Sequence, residues 1–92
     1  MSLAPVLARI DADIENATQR LLELLRIPSI STDAAFDMAC ETAADWLVDQ
    51  LRAIGAEAQK HQTPGKPMVM GSFTGSSNPD APHILFYGHY DV

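Results

Sequence analysis

The sequence predicts an α/β architecture, the N-terminal part of a mixed sheet flanked by helices, and three features carry that prediction. Apolar side chains recur at helical spacing over residues 3–26 and again over 33–54. After Gly55 the period shortens to that of strands, punctuated by Pro and Gly. The chain then enters its most apolar run, Ile84-Leu85-Phe86-Tyr87, which leads directly into Gly88-His89-Tyr90-Asp91-Val92. Two helices followed by about three strands can make a layer of helices over a sheet.

The first helix is expected over about residues 3–26. Leu3, Leu7, Ile10, Ile14, Ala17, Leu21 and Leu24 repeat at spacings of four and three, which forms one apolar stripe. Pro5 is tolerated in a first turn, where its missing N–H has no helical partner to lose. Asp11, Asp13, Glu15, Arg20 and Glu23 fall off the stripe. Packing is the plain reading of this face, and the stripe is too short to establish a coiled coil.

Ile27-Pro28-Ser29-Ile30-Ser31 ends that helix, because proline disfavours helical geometry in the residue before it. Neither Ser29 nor Ser31 has the Gly-x-Ser-x-Gly surroundings of a hydrolase nucleophile. Ser31, Thr32 and Asp33 are expected to cap a second helix running from Asp33 to Ile54, and Gly55 stands where a C-terminal cap belongs. Ala39, Ala43, Trp46, Leu47, Leu51 and Ile54 mark its expected buried face, with Trp46 as the anchor. Asp37, Glu41, Asp45 and Asp49 lie four apart, and a row of this kind reads as a solvated face, not a cation site. Cys40 lies in mid-helix with no basic neighbour in sequence to activate its thiol.

Residues 56–61 and 68–73 alternate weakly and flank Thr63-Pro64-Gly65-Lys66-Pro67, so they are expected to pair as a hairpin. His61 falls at an exposed strand end. Residues 74–82 read as a loop, and no phosphate-loop lysine follows their Gly-Ser-Ser stretch.

The apolar run from Ile84 to Tyr87 suits a strand covered on both faces. Residues two apart in a strand share a face, so Tyr87, His89 and Asp91 would line one side at the strand's C-terminal end, where open α/β sheets bind ligands. A neutral imidazole ligates a metal through one nitrogen, while its other N–H takes a carboxylate or carbonyl that aims the ring. Gly88 permits close backbone approach. The bare spacing serves two readings: His89 as a metal ligand beside Asp91, or a strand-end histidine hydrogen-bonded to Asp91 without metal.

Composition narrows the function class. With 92 residues, the chain supplies one small domain at most. Its net charge of −6 argues against nucleic acid or an anionic membrane as partner. There is no basic start leading into a continuous apolar stretch, and one cysteine offers no disulfide framework, so a reducing, cytoplasmic setting is expected.

Leu85-Phe86-Tyr87-Gly88-His89-Tyr90-Asp91-Val92 resembles the first metal-binding motif of the dinuclear-zinc peptidase superfamily of carboxypeptidases, aminoacylases, desuccinylases and carnosinase-like dipeptidases. Its Gly-His-Tyr-Asp-Val form is most similar to the carnosinase-like branch. Leu21 to Ser31 is similar to that superfamily's first helix and the Pro-Ser turn after it.

The resemblance implies that His89 ligates a metal and that Asp91 serves the catalytic site by orienting that imidazole. It implies two divalent ions in the complete protein, with Zn2+ expected and Mn2+ or Co2+ open. It implies hydrolysis of a dipeptide or an N-acyl amino acid by metal-activated water, with the general base and remaining ligands later in the chain. It also implies a homodimer formed through a lid domain that none of these residues belongs to.

On this reading residues 1–92 are the N-terminal portion of a catalytic domain, inactive alone. The final strand would otherwise lie bare at a sheet edge. The alternative is a non-enzymatic module whose first helix binds a partner while the strands scaffold it.

Overall fold

The computed structural model describes residues 2–92. Helix α1 spans Ala4–Leu25, within one residue of the expected span at each end. Pro5 sits in its first turn, and Arg26 caps the other end through its backbone N–H. The chain then turns tightly, with Ile27 N–H donating to Leu24 O at 3.1 Å and Ser29 N–H to Ile27 O at 2.8 Å. None of α1's residues is buried. Its stripe is correctly placed for one face of a helix, yet Leu7, Ile14 and Leu21 are more than half exposed. Among the described residues one hydrogen bond joins α1 to the second helix, from Trp46 Nε1 to Glu23 Oε2 at 3.2 Å.

The second helix begins with a 3-10 turn, Ala34–Phe36, that passes into α2, Asp37–Ala53. Asp33 caps this start as expected, its Oδ1 accepting from Ala35 N–H at 2.9 Å. At the far end Gly55 takes φ +96°, the left-handed conformation that a side chain opposes. Gly55 N–H then reaches Arg52 O and Ala56 N–H reaches Leu51 O, both at 3.0 Å. These two bonds are the paired closure of a Schellman cap.

Strands β1, Glu57–His61, and β2, Met68–Ser72, form a two-stranded antiparallel sheet with Gln59 opposite Met70. The turn between them is braced by Thr63, whose hydroxyl donates to Lys66 O at 2.6 Å and accepts from Gly65 N–H at 3.0 Å. Helix α2 packs on this hairpin. Arg52 binds the carbonyl of Ala58 with both Nε and Nη2, at 3.1 and 2.9 Å.

The core is made of small residues: Cys40, Ala43, Ala44 and Val48 from α2 against Ala56 and Ala58. This corrects the expected buried face. Ala43 belongs to it, but Ala39, Trp46, Leu47 and Leu51 are half-buried and Ile54 is exposed. Small side chains let α2 lie close to the sheet. At Gly71, opposite Ala58, an added Cβ would come within 3.0 Å of Leu51 Cδ1.

The carboxylate row of α2 is also not simply solvated. Lys60 of β1 lies 2.8 Å from both Glu41 and Asp45, and Lys66 pairs with Asp37. The hydrogen bonds that Lys60 donates to Asp45 and then Glu41 push its ammonium up to about 12. The Lys60 hydrogen bond holds Glu41 below its ordinary value. The stabilisation from Glu41 is thus present above the ordinary carboxylate range and is lost as pH falls through its lowered value. That from Lys60 is present below its ordinary value and is lost as pH rises through about 12. Lys60→Met is expected to flatten the stability-versus-pH curve on its acid side. Urea unfolding midpoints between pH 3 and 7 check this, and an unchanged acid slope would refute it. The effect is small, because exposed pairs contribute little.

The expected third strand does not join a ladder. Residues 73–92 carry no helix or strand, and Leu85, Phe86 and Tyr87 are more than four-fifths exposed. A strand needs a neighbour to take its backbone groups, and β2 does not offer its edge to this run. The radius of gyration is 15.7 Å, against about 12 Å for a compact chain of this length. The excess reflects α1 and the 84–87 segment, both of which stand out from the small α2–hairpin core.

Candidate metal-ligand site

The Gly-His-Tyr-Asp segment is held in place by the Pro-Ser turn sixty residues upstream. Ser29 is fully buried. Its hydroxyl donates to the carbonyl of Tyr90 at 3.0 Å, and its own carbonyl accepts from Val92 N–H at 3.1 Å. Two residues on, the Ser31 hydroxyl donates to Asp91 Oδ2 at 2.8 Å. Ser31 therefore does not cap α2, as the sequence suggests; it serves the motif. A third anchor is the Tyr90 hydroxyl, which donates to Pro67 O at 2.6 Å. Tyr90 is half-buried, and burial is the chief reason its phenol is pushed above its ordinary value.

Anchoring every second residue on one side leaves Tyr87, His89 and Asp91 together on the other, the strand-like alternation expected here. The Tyr87 hydroxyl lies 3.1 Å from His89 Nε2, and the two rings meet edge to face with centroids 5.3 Å apart. His89 Nδ1 lies 3.8 Å from Asp91 Oδ1, in ion-pair range but longer than a hydrogen bond. One tautomer satisfies both neighbours. With the proton on Nδ1 the ring faces the carboxylate with a donor, and Nε2 accepts from the tyrosine. Nε2 is then the unprotonated nitrogen, its lone pair facing the Tyr87 hydroxyl. The His89 side chain is 72% exposed. A groove of about 790 Å³ lies alongside, walled by Leu47, Leu51, Met68, Met70 and Phe86, with His89 and Asp91 also lining it.

Among the described residues no three His, Cys, Asp or Glu side chains converge to hold a metal ion. The donor chemistry of His89 nonetheless fits one ligand position: a neutral imidazole whose Nε2 would exchange the Tyr87 hydroxyl for a metal, with a carboxylate beside Nδ1. It does not fit a whole site, since zinc takes three or four protein ligands. His61 and the row Asp37, Glu41, Asp45 and Asp49 lie elsewhere, and Lys60 and Lys66 occupy three of those four carboxylates.

Sequence reasoning missed the contacts of the two serines, Ser29 with Tyr90 and Val92 and Ser31 with Asp91. A separation of sixty residues leaves no periodic signal; the only clue is that the Pro-Ser turn and the motif are the two places where the chain resembles one superfamily.

Two curated relatives match over the whole of this chain. A Cys-Gly metallodipeptidase of Schizosaccharomyces pombe is 29% identical over 102 residues, and a Cys-Gly metallodipeptidase of Candida albicans is 28% identical over 105. The chain is similar to metallodipeptidases. The similarity supports a metallopeptidase-type family, and the chain spans 21% of the length of each of these relatives. No protein-family model matches, and no solved structure matches. No helix among the described residues is long and apolar enough to cross a membrane.

Proposed function

We propose that residues 1–92 are the N-terminal portion of the catalytic domain of a metal-dependent dipeptidase, supplying one metal ligand, His89, and the carboxylate that orients it, Asp91. The observation that carries this reading is the His89 ring, flanked by Asp91 at Nδ1 and by Tyr87 at Nε2, in a chain that aligns from end to end with metallodipeptidases. The exposed apolar side chains of residues 84–87 and of α1 support a larger domain that covers them.

The chemistry supplied by a bound divalent ion is Lewis acidity toward a carbonyl and a bound water made far more acidic than bulk water. The part played by these residues is narrower. His89 would offer Nε2 in exchange for the Tyr87 hydroxyl, Asp91 Oδ1 faces Nδ1 at 3.8 Å, and the Ser29, Ser31 and Tyr90 contacts fix where both stand. Two divalent ions, zinc foremost with manganese or cobalt as alternatives, complete this proposal. So do a dipeptide or N-acyl amino acid substrate, the carnosinase-like branch, a homodimer and a cytoplasmic location.

The test uses the full-length protein that carries this chain. It should release free amino acids from a dipeptide panel that includes Cys-Gly. Chelation should abolish the release, and Zn2+, Mn2+ or Co2+ should restore it. Hydrolysis indifferent to chelator, or none with any metal, would overturn the reading. One observation favours a second reading, a helical interaction module: the apolar stripe of α1 lacks cover, with Leu7 and Ile14 each 56% exposed. Metal-free, catalytically silent full-length protein that is captured through α1 would favour it.

A further inference from the structure

We propose that Ser31 is a positioning residue for the His89–Asp91 pair, acting by fixing which oxygen of Asp91 faces the imidazole. This rests on the reading of His89 as a metal ligand only in its consequence for metal; the geometry stands apart from it. An aspartate on an exposed segment can rotate about two side-chain bonds and present either oxygen, or neither, to a neighbour. Here Ser31 donates to Oδ2 at 2.8 Å, which leaves Oδ1 turned toward His89 Nδ1 at 3.8 Å. A hydroxyl is suited to this task because it gives one proton and adds no charge that would compete with the imidazole for the carboxylate.

Ser31 itself is not free to wander. Its turn is pinned at Ser29, where the buried hydroxyl and the backbone carbonyl both bind the motif segment, at 3.0 and 3.1 Å. The chain thus grips its motif twice with residues two apart. Ser29 holds the backbone of Tyr90 and Val92; Ser31 holds the side chain between them. With Oδ1 presented, the imidazole keeps its proton on Nδ1, and Nε2, which the Tyr87 hydroxyl meets at 3.1 Å, is the atom a metal would take in its place. Asp91, one step removed from a metal, is the kind of partner that typically governs affinity by about 10–100-fold, and Ser31, two steps removed, acts through it.

The experiment compares Ser31→Ala, Ser31→Thr, Asp91→Asn and the double variant Ser31→Ala/Asp91→Asn in the full-length protein. One readout is the His89 tautomer balance in metal-free protein, from ring-15N-labelled histidine under conditions where the ring is neutral. The other is Zn2+ affinity by chelator competition. Ser31→Ala is expected to move the balance from Nδ1–H toward Nε2–H and to weaken Zn2+ binding by up to about 10-fold, the low end of the range for a ligand's direct partner. Ser31→Thr, which keeps the hydroxyl, should restore both. The double variant should bind no more weakly than Asp91→Asn alone, because the serine acts through that carboxylate.

A wild-type tautomer balance in Ser31→Ala would overturn the proposal. So would losses that multiply in the double variant, since a merely structural serine would add its cost to that of Asp91→Asn. If His89→Ala binds Zn2+ as tightly as wild type, the metal-ligand reading falls, and the tautomer balance still decides the role of Ser31.

Discussion

Replacing His89 by alanine in the full-length protein is expected to weaken its hold on divalent metal by more than a hundredfold, so that one ion is lost during purification. Removing a ligand should exceed the cost of about 10–100-fold that follows from removing a partner of a ligand. Nothing nearby can take its place. The Asp91 carboxylate is engaged by Ser31 at 2.8 Å, and Asp37, Glu41 and Asp45 of α2 pair with the lysines of the hairpin. Tyr87 is the remaining polar neighbour, and a neutral phenol is a poor substitute for imidazole. The controls are His61→Ala, at the exposed end of β1, and His83→Ala, in the loop before the apolar run. Both should keep full metal content by elemental analysis. Full stoichiometry in the His89→Ala protein would remove His89 from the ligand set and, with it, the proposed function.

What the sequence could reveal of this site depended on range. Contacts between residues two to four apart leave a periodic trace, and those were readable. The α1 stripe, the stop at Pro28, the Asp33 cap, the Gly55 cap and the hairpin all rest on neighbours in sequence, and all lie close to where the spacing put them. The shared face of Tyr87, His89 and Asp91 is a relation of the same kind. Contacts set by packing left no such trace. Leucine and tryptophan spacing marked a buried face on α2, but the helix turns Cys40, Ala43 and Ala44 inward, because a small hairpin bearing Ala58 and Gly71, with Ala56 just before it, admits only a close approach. Lys60 and Lys66 come from strand and turn to meet carboxylates about twenty to thirty residues earlier. The two serines that grip the motif act across sixty and sixty-one residues. The apolar run at 84–87 read as a doubly covered strand. Its composition suits one, but strand pairing depends on neighbours that a local pattern does not supply.

Ser29→Ala is expected to destabilise the fold by about 1–3 kcal/mol, the range for leaving a buried polar group without its partner. The serine is fully buried, and its hydroxyl is the donor that reaches Tyr90 O at 3.0 Å. Alanine fits the space but takes the donor away from that part-buried carbonyl. The measurement is the urea unfolding midpoint at constant slope, since a shift in midpoint alone reports stability. Thr32→Ala, exposed in the same turn, should stay within about 0.5 kcal/mol of wild type. The comparison with Ser31→Ala separates two ways of building a site. Ser29 fixes main chain, so its loss should lower stability and speed amide exchange at Val92 while the remaining folded molecules keep the His89 ring as it was. Ser31 fixes a side chain that is 42% exposed, so its loss should cost little stability and disturb the ring directly. If Ser29→Ala moved the imidazole as much as Ser31→Ala does, the turn would be acting as one rigid block, and a separate task for the Ser31 hydroxyl would have no basis.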